Sequence, residues 1–338
     1  MMTSGFSAIL HEINDKGKVT HLNQTKLKEN LKKFKEVVMK ILFILSACIS
    51  ILSVIVICIF LFAGGFPAIS EIGFFEFIFG ADWHPSAGNF GILTMIVGSI
   101  YVTAGAIIIG VPLGLLAAVF LAYYCPPALY RILKPMVELL AGIPSIVYGF
   151  FSLVVIVPAI RGIFGGSGMG ILTASILLGM MILPTIVGVS ESALRALPKS
   201  YYEGALALGA THEKSIFFTC IPAAKSGIFA GVILGIGRAI GETMAVSMVA
   251  GNSAIFPDSI ISQVRTLTAN VIMEMSYATG LHREALIATG AVLFVFILII
   301  NLAFSLLKKT SDRKEKQEKK RKKAEKNLIS DKNGGNVL

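Results

Sequence analysis

Several stretches of this chain run for roughly 20 residues or more with almost no charged side chain, the length at which a helix rising 1.5 Å per residue crosses about 30 Å of hydrocarbon. No other feature narrows the possible folds so far. In lipid every backbone N–H and C=O needs an internal partner, so continuous apolar runs of this length predict α-helices. A membrane β-barrel would show segments of about ten residues alternating apolar and polar, and these runs do not alternate. The chain is 55% hydrophobic and 15% charged. A soluble domain is nearer ~45–50% and ~25%, so a water-exposed fold could not hide this much apolar surface.

The expected architecture is an all-α integral membrane protein with six transmembrane helices, at about 41–63, 90–123, 135–160, 171–189, 226–250 and 285–307. The formal charge is +10, with basic residues concentrated in two tails, 1–40 and 308–338, beside the first and last apolar runs. That placement follows the positive-inside rule and does not call for nucleic acid as a partner. The connection 64–89 carries Glu71, Glu76, Asp82 and the sole tryptophan, Trp83, but no lysine or arginine, as an outside loop does. Arg131 and Lys134 mark the link 125–134 as an inside one. Six crossings return both basic tails to the cytoplasmic side, so parity and charge agree.

A cleaved signal peptide would place its apolar run nearer the start, so the first span reads as an anchor. The domain plan is then a basic cytoplasmic segment, 1–40, a six-helix transmembrane domain, 41–307, and a basic, disordered cytoplasmic tail, 308–338. In that tail Lys319-Lys-Arg-Lys-Lys323 can attract anionic membrane lipids by ~1 kcal/mol per residue.

The four cysteines, Cys48, Cys58, Cys125 and Cys220, show no metal-ligand spacing and read as small packing residues. No metal is expected. Nucleophile, base and orienting group do not recur together, so no catalytic residue is assigned and the chain is not read as an enzyme. It contains no Gly-x-x-x-x-Gly-Lys-Ser/Thr loop, so if ATP drives the protein, the nucleotide and its Mg sit on another chain and no cofactor is expected on this one.

The most polar interior segment, 190–225, contains a short helix-forming stretch from Glu203, then Gly209, which can supply the positive φ of a helix end, then Thr211 and Thr219 as possible caps. A helix, a turn and a second helix are expected. An ordinary amphipathic hairpin would look much the same. The second notable feature is Arg238-Ala-Ile-Gly-Glu242, expected near the centre of the fifth span. A central intramembrane Arg costs ~2.5–3.5 kcal/mol on insertion scales and so calls for a partner or a watery lumen. Spaced four apart on a helix, Arg238 and Glu242 can pair. An ion pair that only locks packing is one reading. The other places Arg238 on a transport path, offering its planar fork of donors to a tetrahedral oxyanion while Glu242 orients it. The third feature, Ala141-Gly-Ile-Pro-Ser-Ile-Val-Tyr-Gly149, offers close helix approach at Gly142 and Gly149 and a ladder break at Pro144, beside Ser145.

The segment 200–223 resembles the EAA loop of ABC importer permeases: Glu-Ala-Ala, three residues, Gly, nine residues, Ile-x-Leu-Pro. Glu203, Ala205, Gly209 and Pro222 fall on that pattern, whereas Gly204, Thr219 and Ile221 depart from it. Joined with the 141–149 segment, the Arg238-Ala-x-Gly-Glu-Thr-Met-Ala run, Trp83-x-Pro85, Phe90-Gly-x-Leu and Arg265-Thr-Leu-Thr, the likeness extends over 75–307 and is to phosphate importer permeases of the PstC kind.

The resemblance implies the type I importer permease (MetI-like) architecture in a bacterial or archaeal cytoplasmic membrane. It also implies a second permease of the PstA kind, two ATPase subunits of the PstB kind and an extracytoplasmic phosphate-binding protein of the PstS kind. In such a permease the EAA loop, here with Glu203, Gly204, Ala205, Gly209 and Pro222, sits in a groove of the ATPase. Trp83 and Arg265 are then candidates for docking the binding protein. A permease for another oxyanion remains an alternative, as does an ion-coupled secondary transporter, although no internal repeat of the kind such transporters carry is visible.

Overall fold

The computed structural model describes residues 3–303 and 305–306 of the 338, so the basic tail expected over 308–338 lies outside the described residues. The chain divides into two compact units, 1–60 and 61–338. The first is helical, formed by the greater part of α1 (Thr3–Ile72). Its apolar side chains, among them Ile41, Phe43, Ile51, Leu52 and Ile59, stand more than half exposed to their surroundings. A bare apolar helix of this kind needs lipid or another apolar surface around it.

In the second unit the end of α1 lies against the last spanning helix, α13 (Gly280–Ala303). A Cβ placed on Gly65 would come within 2.7 Å of the Ala288 backbone, so only glycine permits that approach. A short helix, α2 (Phe74–Phe79), follows, then an antiparallel pair, β1 (Trp83–His84) and β2 (Asn89–Phe90), in register Trp83↔Phe90. Helix α3 (Leu93–Val119) runs on through a π-helical turn, Phe120–Tyr124. Next come α4 (Pro127–Gly142), α5 (Ser145–Phe151), a second π turn (Ser152–Ile156) and α6 (Val157–Phe164), the last three forming one continuous span.

Helix α7 (Ile171–Arg195) is the axis of the unit, with 67% of its apolar stretch buried. It is flanked by α3 and by α10 (Ile221–Gly241). Glycines let all three come close: Gly110 and Gly114 of α3 meet Ile182 and Ile186, and Gly227, Gly231 and Gly235 of α10 meet Ala193, Val189 and Ile186. Small residues four apart make one stripe along a helix, and without a hydrophobic drive between helices in lipid, such backbone proximity supplies the packing. Helices α8 (Lys199–Ala207) and α9 (His212–Ser215), with a third π turn (Ile216–Cys220), precede α10; α11 (Met244–Val249) and α12 (Leu267–Glu274) precede α13.

Among the described residues, six helices are long and apolar enough to cross a membrane: Lys35–Ile72, Leu93–Tyr124, Ser145–Phe164, Ile171–Arg195, His212–Gly241 and Gly280–Ala303. The number agrees with the sequence expectation, but several boundaries do not: the first span runs past 63 to Ile72, the fourth past 189 to Arg195, and the fifth begins at His212 and not near 226. The third span begins at Ser145 and not near residue 135, because Pro144 has no N–H to give the Leu140 carbonyl and the helix ends there. The fifth ends at Gly241 and not at 250, because Glu242 and Thr243 turn their side chains onto local backbone.

Candidate functional site

The break at Glu242 alters the geometry expected of its motif. Glu242 is the extended residue that closes α10, with φ −69° and ψ 128°, and is not one turn above Arg238 on a continuous helix. Its Oε1 accepts from Ala245 N at 3.1 Å, which caps the start of α11, and its carbonyl accepts from Thr268 Oγ1 at 3.1 Å. The expected Arg238–Glu242 ion pair is therefore corrected: Glu242 is committed to the helix break. Arg238 lies in the last turn of α10 instead of at mid-span, half-buried, with no carboxylate paired to it among the described residues. A cation in the last turn is favoured by the helix macrodipole, but that is worth only about 0.3–1 kcal/mol at exposed sites, too little to fix the guanidinium.

The Tyr148 hydroxyl donates to the Leu140 carbonyl at 2.8 Å, replacing the bond that Pro144 cannot make. The 141–149 segment is thus an elbow: α4 stops, the chain extends through Ile143 and Pro144, and Ser145 opens α5. Gly149 gives the expected close approach, since a Cβ there would meet Met248 Sδ at 2.7 Å and the Ala245 Cα at 3.0 Å. At Gly142 a Cβ would meet nothing of this chain within 4 Å. Helices α5 and α11 therefore pack closely just past the elbow, and α10, with Arg238 in its last turn, leads into α11 across the break at Glu242 and Thr243.

The 200–223 segment forms the expected helix and turn. Glu203, Gly204 and Ala205 lie on α8, Gly209 takes φ +84° just beyond it, and Thr211 Oγ1 accepts from Lys214 N to cap α9. The second helix does not stand alone; it continues with Pro222 near the start of α10 as part of the fifth span. Tyr202 and His212 close the hairpin across 2.6 Å, and the His212 ring sits edge-on to Tyr124. The tip is bare. Leu208 is 91% exposed, and Phe218 is 79% exposed nearby, which leaves an apolar face with no cover from this chain.

Two buried networks escaped the sequence reading. At the hairpin end of the bundle, Glu191 on α7 is 2% exposed and accepts from Tyr130 and Lys134 of α4, each at 2.8 Å, and from Arg195 Nε. Arg195 also donates to the Leu121 carbonyl at 2.7 Å and lies over the Tyr130 ring. Burial works against the Lys134 charge, but the Glu191 carboxylate more than offsets it and holds Lys134 above its ordinary value. Its stabilisation is full below the ordinary lysine value and fades only as pH rises through the raised one, so the network is intact throughout the neutral range. An acidic residue at the end of an apolar helix was the available signal, but a span expected to end at 189 hid it.

At the opposite end, Glu274 accepts from Trp83 Nε1 at 2.9 Å and Arg265 Nη1 at 2.6 Å, with His282 Nε2 at 2.9 Å. Arg265 also reaches Asn270 Oδ1 and the Asn252 carbonyl. Trp83 is 5% exposed, packed edge-on against Phe90. Trp83 and Arg265 thus turn their polar atoms onto Glu274, Asn270 and Asn252 and tie β1 to α12.

A family model described as "Binding-protein-dependent transport system inner membrane component" matches residues 110–317. A probable ABC transporter permease of Bacillus subtilis, YqgH, is 38% identical over 270 residues, covering 76% of this chain and 87% of the relative. The phosphate transport permease PstC of Mesorhizobium japonicum is 37% identical over 265 residues (72% and 81%), and that of Haemophilus influenzae is 31% identical over 307 (85% and 95%). Among solved structures, the inward-facing MetNI methionine transporter matches with a TM-score of 0.52 at 20% identity over 68% of this chain and 99% of that one. A bacterial alginate ABC transporter matches with 0.53 at 16% identity (77% and 92%). At those identities the structures speak for the fold alone, which is that of the MetI-like importer permeases. With six spans and a family model covering more than half its length, this chain belongs to the binding-protein-dependent transport system inner membrane components, as a multi-pass permease of the inner membrane.

Proposed function

We propose that this chain forms half of the membrane path of an ATP-driven phosphate importer, with Arg238 as an anion contact on that path. The observation that carries the reading is a half-buried guanidinium in the last turn of a spanning helix, with no carboxylate paired to it among the described residues, beside the break that leads from α10 into α11. At membrane depth such a charge is tolerated where it faces water or an anion, and its planar donors suit two oxygens of a tetrahedral oxyanion. The choice of phosphate draws on the relatives named PstC. Glu242 holds the backbone break beside the guanidinium and places a carboxylate near the path, where it would keep the anion from binding too tightly to leave.

The second permease, of the PstA kind, would complete the path against the elbow. Two ATPase subunits of the PstB kind, carrying ATP and Mg, would receive the bare tip of the hairpin with Glu203, Gly204, Ala205, Gly209 and Pro222. A phosphate-binding protein of the PstS kind would deliver substrate at the Trp83–Glu274 end. Both termini are assigned to the cytoplasm, because Lys32, Lys35 and Lys40 cluster at the start of the first span while Arg131, Lys134, Arg195, Lys199 and Lys214 gather at the hairpin end. ATP hydrolysis on the partner would alternate the pair between outward-open and inward-open states.

Labelled phosphate uptake in cells lacking and regaining the gene, competed by arsenate and sulfate, tests the reading. Arsenate should compete and sulfate should not; competition by sulfate alone would assign a different oxyanion. Arg238→Gln should lower uptake by about tenfold, the scale of one lost charge-assisted contact, at unchanged membrane level. Undiminished uptake would remove the anion role.

A further inference from the structure

We infer that α2 is a membrane-interface anchor that sinks an aromatic face into the outer edge of the bilayer. Its sequence is Phe-Phe-Glu-Phe-Ile-Phe. At about 100° per residue, positions 74, 78, 75 and 79 occupy one apolar sector, Glu76 lies beyond its edge and Phe77 points away from it. In the structure Phe77 is fully buried against the protein and Ile78 is half-buried against the same core, while Phe74, Phe75 and Phe79 are 56%, 75% and 60% exposed. The exposed rings form one patch, with Phe75 stacked on Phe79 at 6.2 Å and edge-on to Phe74 at 5.7 Å.

The patch is held close to two membrane-crossing helices. The first spanning helix ends at Ile72, and Gly73, at φ +93°, turns the chain directly into α2. On the other side, Ile92 N donates to the Phe77 carbonyl and Leu93 N to the Gly80 carbonyl, both at 3.0 Å, and Leu93 begins the second span. Helix α2 is therefore tied between the ends of two membrane-crossing helices and lies where hydrocarbon gives way to headgroups. Aromatic rings on a helix whose charged residue sits at the edge of the apolar sector match the partition of an interfacial helix. No lysine or arginine occurs between Lys40 and Arg131, whereas Glu71, Glu76 and Asp82 flank the patch, which suits the outer leaflet. Continuity with the lipid-crossing spans favours lipid over a docking protein as the occupant.

The test is a Phe75→Trp variant of the full chain in liposomes, with acyl-brominated phosphatidylcholine as the lipid quencher and acrylamide as the aqueous one. The parent's single tryptophan, Trp83, is buried and provides the baseline. Brominated lipid should quench the added fluorescence about twofold or more, and acrylamide should have little effect. A tryptophan quenched by acrylamide and not by lipid would overturn the inference, as would one shielded from both, which would mean a protein covers it. Phe79→Trp should give the same pattern and stands in should the first variant fail to assemble. Neither readout depends on which ion is transported.

Discussion

Glu191 shows how much one side chain can hold. Its carboxylate takes donors from Tyr130, Lys134 and Arg195, so a single buried charge fastens α4 and, through Arg195, the π turn after α3 to the end of α7. Glu191→Gln keeps the shape but removes the anion of Arg195 and leaves Lys134 only the more exposed Glu138, 3.6 Å away. The expected cost is about 3 kcal/mol, the low end for a broken buried pair, because the Arg195 side chain is 43% exposed and recovers water. A lowered unfolding temperature in detergent would register it, and an unchanged one would show that solvent already satisfies both cations. Sequence reading found Arg238 because an arginine inside an apolar run is conspicuous. It missed Glu191 because the three donors come from residues four to sixty-one positions away.

At the scale of elements, the hairpin from α8 to α10 was legible in advance. Glu203, Gly209 and Thr211 each act locally, as a helix former, a left-handed helix end and a cap. Gly209 at φ +84° is the sensitive joint, since nothing crowds it and the strain of any side chain is purely conformational. Gly209→Val should cost about 1–2 kcal/mol locally and tilt the bare tip at Leu208. If that tip docks on an ATPase, the variant should insert normally while uptake falls and the ATPase co-purifies less. Retained coupling would count against docking there. The fifth span was the least legible element. Its apolar run continues past 241, and only the hydrogen bonds of Glu242 and Thr243 to local backbone show that the helix stops.

Across the whole molecule, the two ends of the bundle are each closed on a buried carboxylate. At the outer end the Trp83–Glu274 bond spans 191 residues of sequence and ties β1 to α12, while His282 adds the last spanning helix. Trp83→Phe keeps an aromatic ring against Phe90 and removes the donor. The loss should be about 1.5–3 kcal/mol, as for a hydrogen bond to a charged group, read as faster amide exchange over 264–274. Exchange unchanged there would place the hold on Arg265 and His282 alone. The sequence by itself determined the class of fold, because hydrocarbon thickness dictates how long an apolar helix must be and the backbone in lipid must satisfy itself. Only the tertiary structure decided which charges find partners. Pairing depends on where breaks at Pro144 and Glu242 redirect the backbone, and on glycines that let α3, α7 and α10 close up, none of which a span-by-span reading can add together.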